Sequence, residues 1–347
     1  MIQTQIKLRI KSKQEEKLNE WIWILTGVWN WAIKKIEADS ENRIFYSKQE
    51  FQNLLANHGK KLGIPSHTLQ GMLIVAWDSW QRCFKKVSKK PHLKGMRNRL
   101  NSIPFPDSVR KQSGVYIKMP GLGILRFHQQ EIPEGKIKCG RIVKRASGWY
   151  LCLFIDASPK KILPKDNKTI GIDPGFKSTL TLSTGEIINK PKRLLEIEKR
   201  LGQSQRGNNK HLTARLQERI RNRRKDDNHK ISRRLVEENE TIIFSKDNIK
   251  GIAKSYGKSV AEAGHYQLRQ MLSYKCIASG RTYVEVDSKG STKTCSNCLA
   301  RTGPTGKAGL SVRQWECTEC GILHDRDHNA AINTLLVGLG TSLERYA

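Results

Sequence analysis

The sequence predicts two architectures in one chain: a small β unit interrupted by helices, then an α/β layered core carrying a cysteine module. Three observations predict it. Residues 1–11 alternate polar and apolar side chains, and four strand-like segments reappear between residues 115 and 156. From residue 168 onward, short apolar runs alternate with stretches of helical periodicity. Four of the eight cysteines stand in two C-x-x-C pairs. A length of 347 residues exceeds one ordinary domain, and 37% hydrophobic residues is enough to build cores.

Taken in order, residues 1–11 read as a half-buried strand. Leu18, Trp21, Ile22, Leu25, Val28, Trp29, Ala32 and Ile36 then recur at helical spacing and mark one long amphipathic helix. Its tryptophans read as packed core, with base stacking as the competing use. Residues 47–57 give a shorter helix, and Pro65 opens a third over residues 66–86, because proline suits a first helical turn. Residues 91–130 are rich in Pro and Gly and break the helical pattern. The segments VYIKM, GILRFH, KIKCGRIVKR and WYLCLFID read as antiparallel strands that residues 1–11 join, which makes residues 12–88 an insertion in a small β-barrel. After a linker at 158–167, strands are expected at 169–173, 179–183 and 186–189. A basic helical region follows over 191–238, interrupted near 202–209. Residues 241–245 and 281–286 read as strands, 261–279 as a helix, and a final helix begins near His328.

Sixty-three Lys and Arg face 32 Asp and Glu, a formal charge of +31. Self-repulsion of that size opposes compaction unless a polyanion neutralises it. The excess is spread along the chain, which implies a long nucleic-acid contact surface whose binding weakens with salt. Solubility alone is the blander reading. No signal-like segment and no run of about 18 apolar residues is present, so a cytoplasmic protein without a membrane span is expected. In that setting cysteines serve metal sites rather than a disulfide framework. Cys83, Cys139, Cys152 and Cys276 are scattered singly and read as small core side chains. Cys295, Cys298, Cys317 and Cys320 offer four thiolates with knuckle spacing, the pattern of a closed, structural Zn²⁺ site.

Asp173 ends an apolar strand beside a Pro-Gly turn, and Asp327 stands at the start of the last helix. Singly, each is an ordinary turn or cap residue. Together they fit a two-metal nuclease, where carboxylates hold Mg²⁺ ions about 3.5–4 Å apart.

The order GIDPG, basic helices, a strand running into NIKGI, CxxC…CxxC and DRDxNAAxN resembles the TnpB family of transposon-encoded RNA-guided nucleases, over nearly the whole chain. The resemblance implies a RuvC (RNase H-like) core with an inserted zinc ribbon, preceded by a wedge-type β-barrel carrying a helical recognition insertion. It places the barrel at 1–11 and 89–160, the recognition region at 12–88, the RuvC-like domain at 168–290 and 323–347, and the ribbon at 291–322. It implies a guide RNA and a double-stranded target DNA with a short flanking motif as partners, and a bacterial, nucleoid-associated location. Arg215, Arg219, Arg221, Arg223, Arg224 and Lys225, with Lys85 and Lys86, are the expected backbone contacts, and His67, Thr68 and Gln70 the expected readers of the flanking motif.

Active members carry a glutamate at the end of the fourth core strand. Here Ser245 stands in its place and Lys246 follows. A neutral hydroxyl is a poor Mg²⁺ ligand, which puts Mg²⁺ in doubt and makes Asp173, Ser245 and Asp327 vestigial, with no catalytic residue. The expectation is therefore a protein similar to the nuclease-dead TnpB-like repressors: not an enzyme, but an RNA-guided repressor of transcription by promoter occupancy. The alternative is an active RNA-guided DNA endonuclease whose missing carboxylate comes from Asp247, Glu238, Glu240 or Glu262. A zinc-ribbon DNA-binding protein that needs no RNA is the third reading.

Overall fold

Alternation along β1 (Ile2–Arg9) buries Ile6 and Leu8 and leaves Arg9 exposed, as a strand with one covered face requires. The strand opens the first of two compact units, Met1–Pro159 and Lys160–Ala347. The computed structural model describes all residues except 107–108, 112–113, 158–161, 163–165, 167, 176–179, 190–191, 247–263, 288, 306–308, 310, 342 and 344–347. Among the described residues no helix is long and apolar enough to cross a membrane.

In the first unit, α1 (Ser12–Glu41) follows β1 and buries Leu18, Trp21, Ile22, Leu25, Val28, Trp29, Ala32, Ile33 and Ile36, the stripe that its periodicity announces. Helix α2 (Lys48–Asn53) starts at a capping box. The Glu50 amide donates to the Ser47 hydroxyl at 3.2 Å, and the Ser47 amide donates back to the Glu50 carboxylate at 2.8 Å. The helix stops at Asn53 rather than 57. A short α3 (Gly59–Leu62) leads to α4 (Ser66–Phe84), with Pro65 at its N-cap. Strands β2 (Ser102–Phe105), β3 (Arg110–Lys111), β4 (Tyr116–Met119), β5 (Gly123–Phe127), β6 (Lys136–Arg145) and β7 (Gly148–Asp156) complete a seven-stranded antiparallel sheet in the order β2-β6-β7-β1-β5-β4-β3. Because β1 pairs with both β7 and β5, α1–α4 are an insertion between strands of one sheet. Strand β2 lies where a loop was expected. Its Pro104 is tolerated at the sheet's edge, where proline's missing N–H removes no needed ladder bond. Among the described residues β2 and the two-residue β3 do not pair, so the sheet is open where a barrel was expected.

The second unit holds β8 (Lys168–Pro174), β9 (Leu180–Leu182), β10 (Ile187–Ile188), α5 (Lys192–Arg206), α6 (Lys210–Glu238), β11 (Asn239–Ser245), α7 (His265–Ser279) and β12 (Thr282–Val286). Its sheet runs β10-β9-β8-β11-β12, with β8, β11 and β12 parallel and β9 antiparallel to β8. Ile170, Ile172, Ile242 and Phe244 face a core built with Leu235 and Val236 of α6 and Leu268, Leu272 and Cys276 of α7. Side chains alternate along strands, so Gly171, Asp173, Ile243 and Ser245 take the opposite face.

That face carries α8 (Arg326–Gly338), which follows the ribbon β13 (Gln314–Glu316) and β14 (Leu323–Asp325). The approach is close. A Cβ at Gly171 would press on the Ala331 carbonyl and lie 2.7 Å from Leu335 Cβ, and one at Gly338 would overlap the Ile243 side chain. Gly171→Ala is expected to destabilise the chain by about 1–3 kcal/mol, the range of overpacking in a tight core. Urea unfolding of the two proteins side by side would check this.

Candidate carboxylate site and metal module

Asp173 stands one residue before the end of β8 and lies beside Thr181 of β9. Ile172 pairs with Phe244 in the parallel ladder, which brings Asp173 and Ser245 to the same level on adjacent strands, at their C-terminal ends. Parallel sheets present ligands at that end. Helix α8 begins over the same face. Asp325 is its N-cap, accepting from the His328 amide at 2.9 Å, and Asp327 sits in the first turn, 3.3 Å from Arg313 Nη1. Asp173 and Asp327 are thus two carboxylates on one side of the sheet.

Ser245 is 1% exposed, and its Oγ has no hydrogen-bond partner among the described residues. A buried hydroxyl left unpaired is costly, which marks this point as a place for a further polar group. The candidate substitutes separate cleanly. Glu238 ends α6 and reaches Arg234 at 3.8 Å, and Glu240 is exposed near the start of β11. Both stand at the opposite end of the strand from Ser245, so neither replaces the missing glutamate. Glu285, opposite Phe244, points to the α7 side, where Arg269 grips it through Nε and Nη2 and Tyr283 donates to it at 3.0 Å. The Arg269 bonds hold its carboxyl below the usual range against burial. Asp247 and Glu262 lie outside the described residues.

Two histidines steady the site. His265 opens α7 and its Nε2 lies 2.9 Å from the Gly175 carbonyl, just beyond Asp173, while His328 Nε2 lies 3.2 Å from the Ser183 carbonyl. Sequence reasoning passed over both because a lone histidine carries no spacing signal. Burial lowers the His265 pKa, opposed by the Gly175 carbonyl and aided by the charge of Arg269. The unfolded chain therefore takes up a proton here at higher pH than the folded one, so acid below the ordinary histidine range favours unfolding. Melting temperature is expected to fall as pH drops below about 6.5, and His265→Gln to remove part of that fall in melts at neutral and acid pH.

The cysteine module closes as its spacing predicts. The four Sγ atoms of Cys295, Cys298, Cys317 and Cys320 lie within 4.8 Å of one another. Cys295–Cys320 and Cys298–Cys317 are 3.7 and 3.6 Å apart. A tetrahedron of thiolates about 2.3 Å from zinc has edges of about 3.8 Å, so the cluster can hold a zinc ion. Thr302 donates to Cys317 Sγ at 3.2 Å, and His324 Nε2 lies 3.0 Å from Cys295 Sγ with its ring against Trp315. Among the described residues no other group of three metal-binding side chains converges.

The asparagines of the DRDxNAAxN stretch join this module to the carboxylate site. Asn329 and Asn333, one helical turn apart, both donate to the carbonyls of Ser291 and Thr294 at 2.7–3.1 Å. The Ser296 amide donates back to Asn329 at 2.9 Å. The motif was visible in the sequence, but the fastening role of its asparagines was not.

The basic candidates divide by exposure. Arg215, Arg219, Arg221 and Lys225 stand exposed on α6, while Arg223 and Arg224 are partly covered. Lys85 and Lys86 are exposed just past α4. His67 is exposed and Gln70 half-buried, but Thr68 is 1% exposed. Thr68 faces the core between α4 and its neighbours, so it is withdrawn as a reader of DNA.

Residues 154–256 match the family described as a probable transposase (OrfB_IS605), and residues 265–334 match the Cas12f1-like TNB domain. A Streptomyces pristinaespiralis protein named "Putative RNA-guided DNA endonuclease" is 37% identical over 299 residues, covering 80% of this chain and 73% of the relative. The chain belongs to the TnpB/IS605 family. The InsQ protein of Escherichia coli (strain K12), another TnpB-family relative given the same descriptive name, is 24% identical, covering 96% of this chain and 91% of its own. A cryo-EM structure of a Cas12f1–sgRNA–target DNA complex shares the fold of this TnpB-family chain, with a TM-score of 0.56 at 14% identity over 94% of this chain and 83% of that one.

These relatives correct one expectation. Ser245 suggested a protein that is not an enzyme, whereas its TnpB-family relatives are named as endonucleases. The physical reason is that one strand-end residue decides a metal site only when no other carboxylate can reach the same face. The zinc reading yields a prediction of its own. The purified protein is expected to carry about one Zn²⁺ per chain, and Cys317→Ser to lose it and melt lower, as metal analysis and thermal denaturation would register.

Proposed function

We propose that this chain is an RNA-guided DNA endonuclease with a rearranged carboxylate site. One observation carries the reading: Asp173 stands at the C-terminal end of the parallel strands beside a buried hydroxyl with no hydrogen-bond partner among the described residues, on the face that α8 with its Asp327 covers. The names of the 37% and 24% identical relatives support it. A guide RNA and a double-stranded target with a short flanking motif are the partners, by analogy with the sgRNA and target DNA of the Cas12f1 complex that shares the fold.

Two carboxylates and a hydroxyl suit a hard cation, which keeps several of its own waters. Asp173 and Asp327 would hold Mg²⁺, with Ser245 Oγ as a weak third oxygen. Bound there, the metal would activate a water and stabilise the leaving oxygen. Arg313 balances the Asp327 charge, and His265 and His328 hold the turns that present the site. Asp247 and Glu262, which lie outside the described residues, are the candidates left for a further carboxylate. Exposed Arg215, Arg219, Arg221 and Lys225, flanked by Arg223 and Arg224, would follow the guide–target backbone, with Lys85 and Lys86 on DNA phosphates. His67 and Gln70 would meet the flanking motif. Residues 1–11 and 89–160 would serve as the wedge, 12–88 as the recognition region, and 291–322 as a ribbon within the RuvC-like domain.

The test is plasmid cleavage by the protein purified with its own RNA, given Mg²⁺ and a target matching that RNA. Cleavage is expected, with Asp173→Ala lowering the rate by more than the ~100-fold typical of losing an outer partner. Asp247→Asn and Glu262→Gln would show which acid completes the site. A complex that binds its target tightly yet leaves both strands whole would overturn the proposal.

A further inference from the structure

Helix α1 divides its tryptophans. Trp21 and Trp29 are buried in the core, whereas Trp23 and Trp31 remain 64% and 39% exposed. Trp23, Gly27 and Trp31 are spaced four residues apart and form one stripe along the helix. Gly27 puts no side chain between the two indoles, and a Cβ added there would meet nothing within 4 Å. Glycine weakens a helix interior, and no packing contact demands it at this position. The result is an open notch between two aromatic walls.

A second wall faces the notch. Trp29 Nε1 donates to the His92 carbonyl at 3.1 Å. The Asn30 amide group donates to the Lys94 carbonyl at 2.8 Å and accepts from the Lys94 amide at 2.7 Å. The Leu100 amide donates to the Thr26 hydroxyl at 3.4 Å. These bonds hold residues 92–100 beside α1. They flank an open groove of about 580 Å³ whose lining includes Trp23, Gly27, Trp31, Lys94, Met96 and Arg99, with Leu55 and Leu62 among its apolar members.

The lining says what would fit. Two indoles and the 83% exposed Met96 offer flat, polarisable surface. Lys94 and Arg99 have no acidic partner among the described residues, and exposed Lys34 and Arg97 stand nearby in sequence. Of the carboxylates on α1, Glu20 lies one turn before Trp23 and Glu37 is paired with Lys90. Aromatic walls with unpaired cations at the rim suit a planar uncharged ring joined to an anion. A second copy of this chain, itself carrying +31, would bury the indoles but supply a poor counter-charge for Lys94 and Arg99.

We propose that this notch seats one unpaired nucleobase, stacked on Trp31 with Trp23 across the notch, and with its flanking phosphates on Lys94 and Arg99. The proposal rests on the nucleic-acid-binding reading given above and deepens it. The strand is either the RNA or a single-stranded stretch of DNA, and the chemistry of the seat is the same for both.

The test uses the full chain, freed of RNA, with short single-stranded RNA and DNA oligonucleotides that each carry one 2-aminopurine. Stacking on an indole quenches that fluorophore. Binding with quenching is expected, and the better-quenched probe identifies the source strand. Trp31→Ala and the notch-filling Gly27→Leu should each abolish the quench and weaken binding about tenfold, the scale of one stacked base. Trp31→Phe should restore most of both, and Gly27→Leu should not lower the melting temperature. If wild type binds and the variants quench and bind as it does, the seat is refuted while nucleic-acid binding stands. If wild type binds no probe at any salt, the underlying reading falls with it. If Trp31→Ala turns a dimer into a monomer with quenching unchanged, the patch joins two copies and the proposal is overturned.

Discussion

The second unit depends on how closely α8 lies against β8 and β11. Gly171 and Gly338 are the points of contact, and neither has room for a methyl group. That closeness sets the first turn of α8, and so Asp327, over the strand face that carries Asp173 and Ser245. It also positions the cysteine module, because Asn329 and Asn333 on the same helix clamp the Ser291 and Thr294 carbonyls. Metal module and carboxylate site are therefore parts of one rigid arrangement, and displacement of the helix would disturb both.

Ser245 gives the site its character. In the middle of a strand a serine would be an ordinary small residue. At this level, beside Asp173, its buried hydroxyl stays unpaired among the described residues. The face opposite is already committed: Glu285 is spent on Arg269 and Tyr283 and belongs to the packing of α7. Glu238 and Glu240 stand at the far end of the strand, so neither brings a further acid to this point.

Legibility in the sequence followed the strength of the local pattern. The cysteine quartet needed only spacing, since four thiolates on two knuckles have little else to do. The long helix and the paired strands showed through hydrophobic periodicity. Strand β2 did not, because Pro104 reads as a breaker unless its edge position is known. Thr68 read as a reader of DNA because a helix start beside Pro65 looks open, and only packing showed it covered. By contrast, helical spacing already separated Trp21 and Trp29, which are buried, from Trp23 and Trp31, which stay exposed.

What the sequence determined by itself was composition and local order: the positive charge, the cysteine quartet, the long helices and the residues standing at the strand ends. Those follow from side-chain chemistry and from periods of two and 3.6 residues. What tertiary structure decided was convergence. Asp173 and Asp327 are 154 positions apart, and only the packing of a glycine-faced strand against a helix places them on one side. Convergence depends on long-range contacts, which no local pattern encodes.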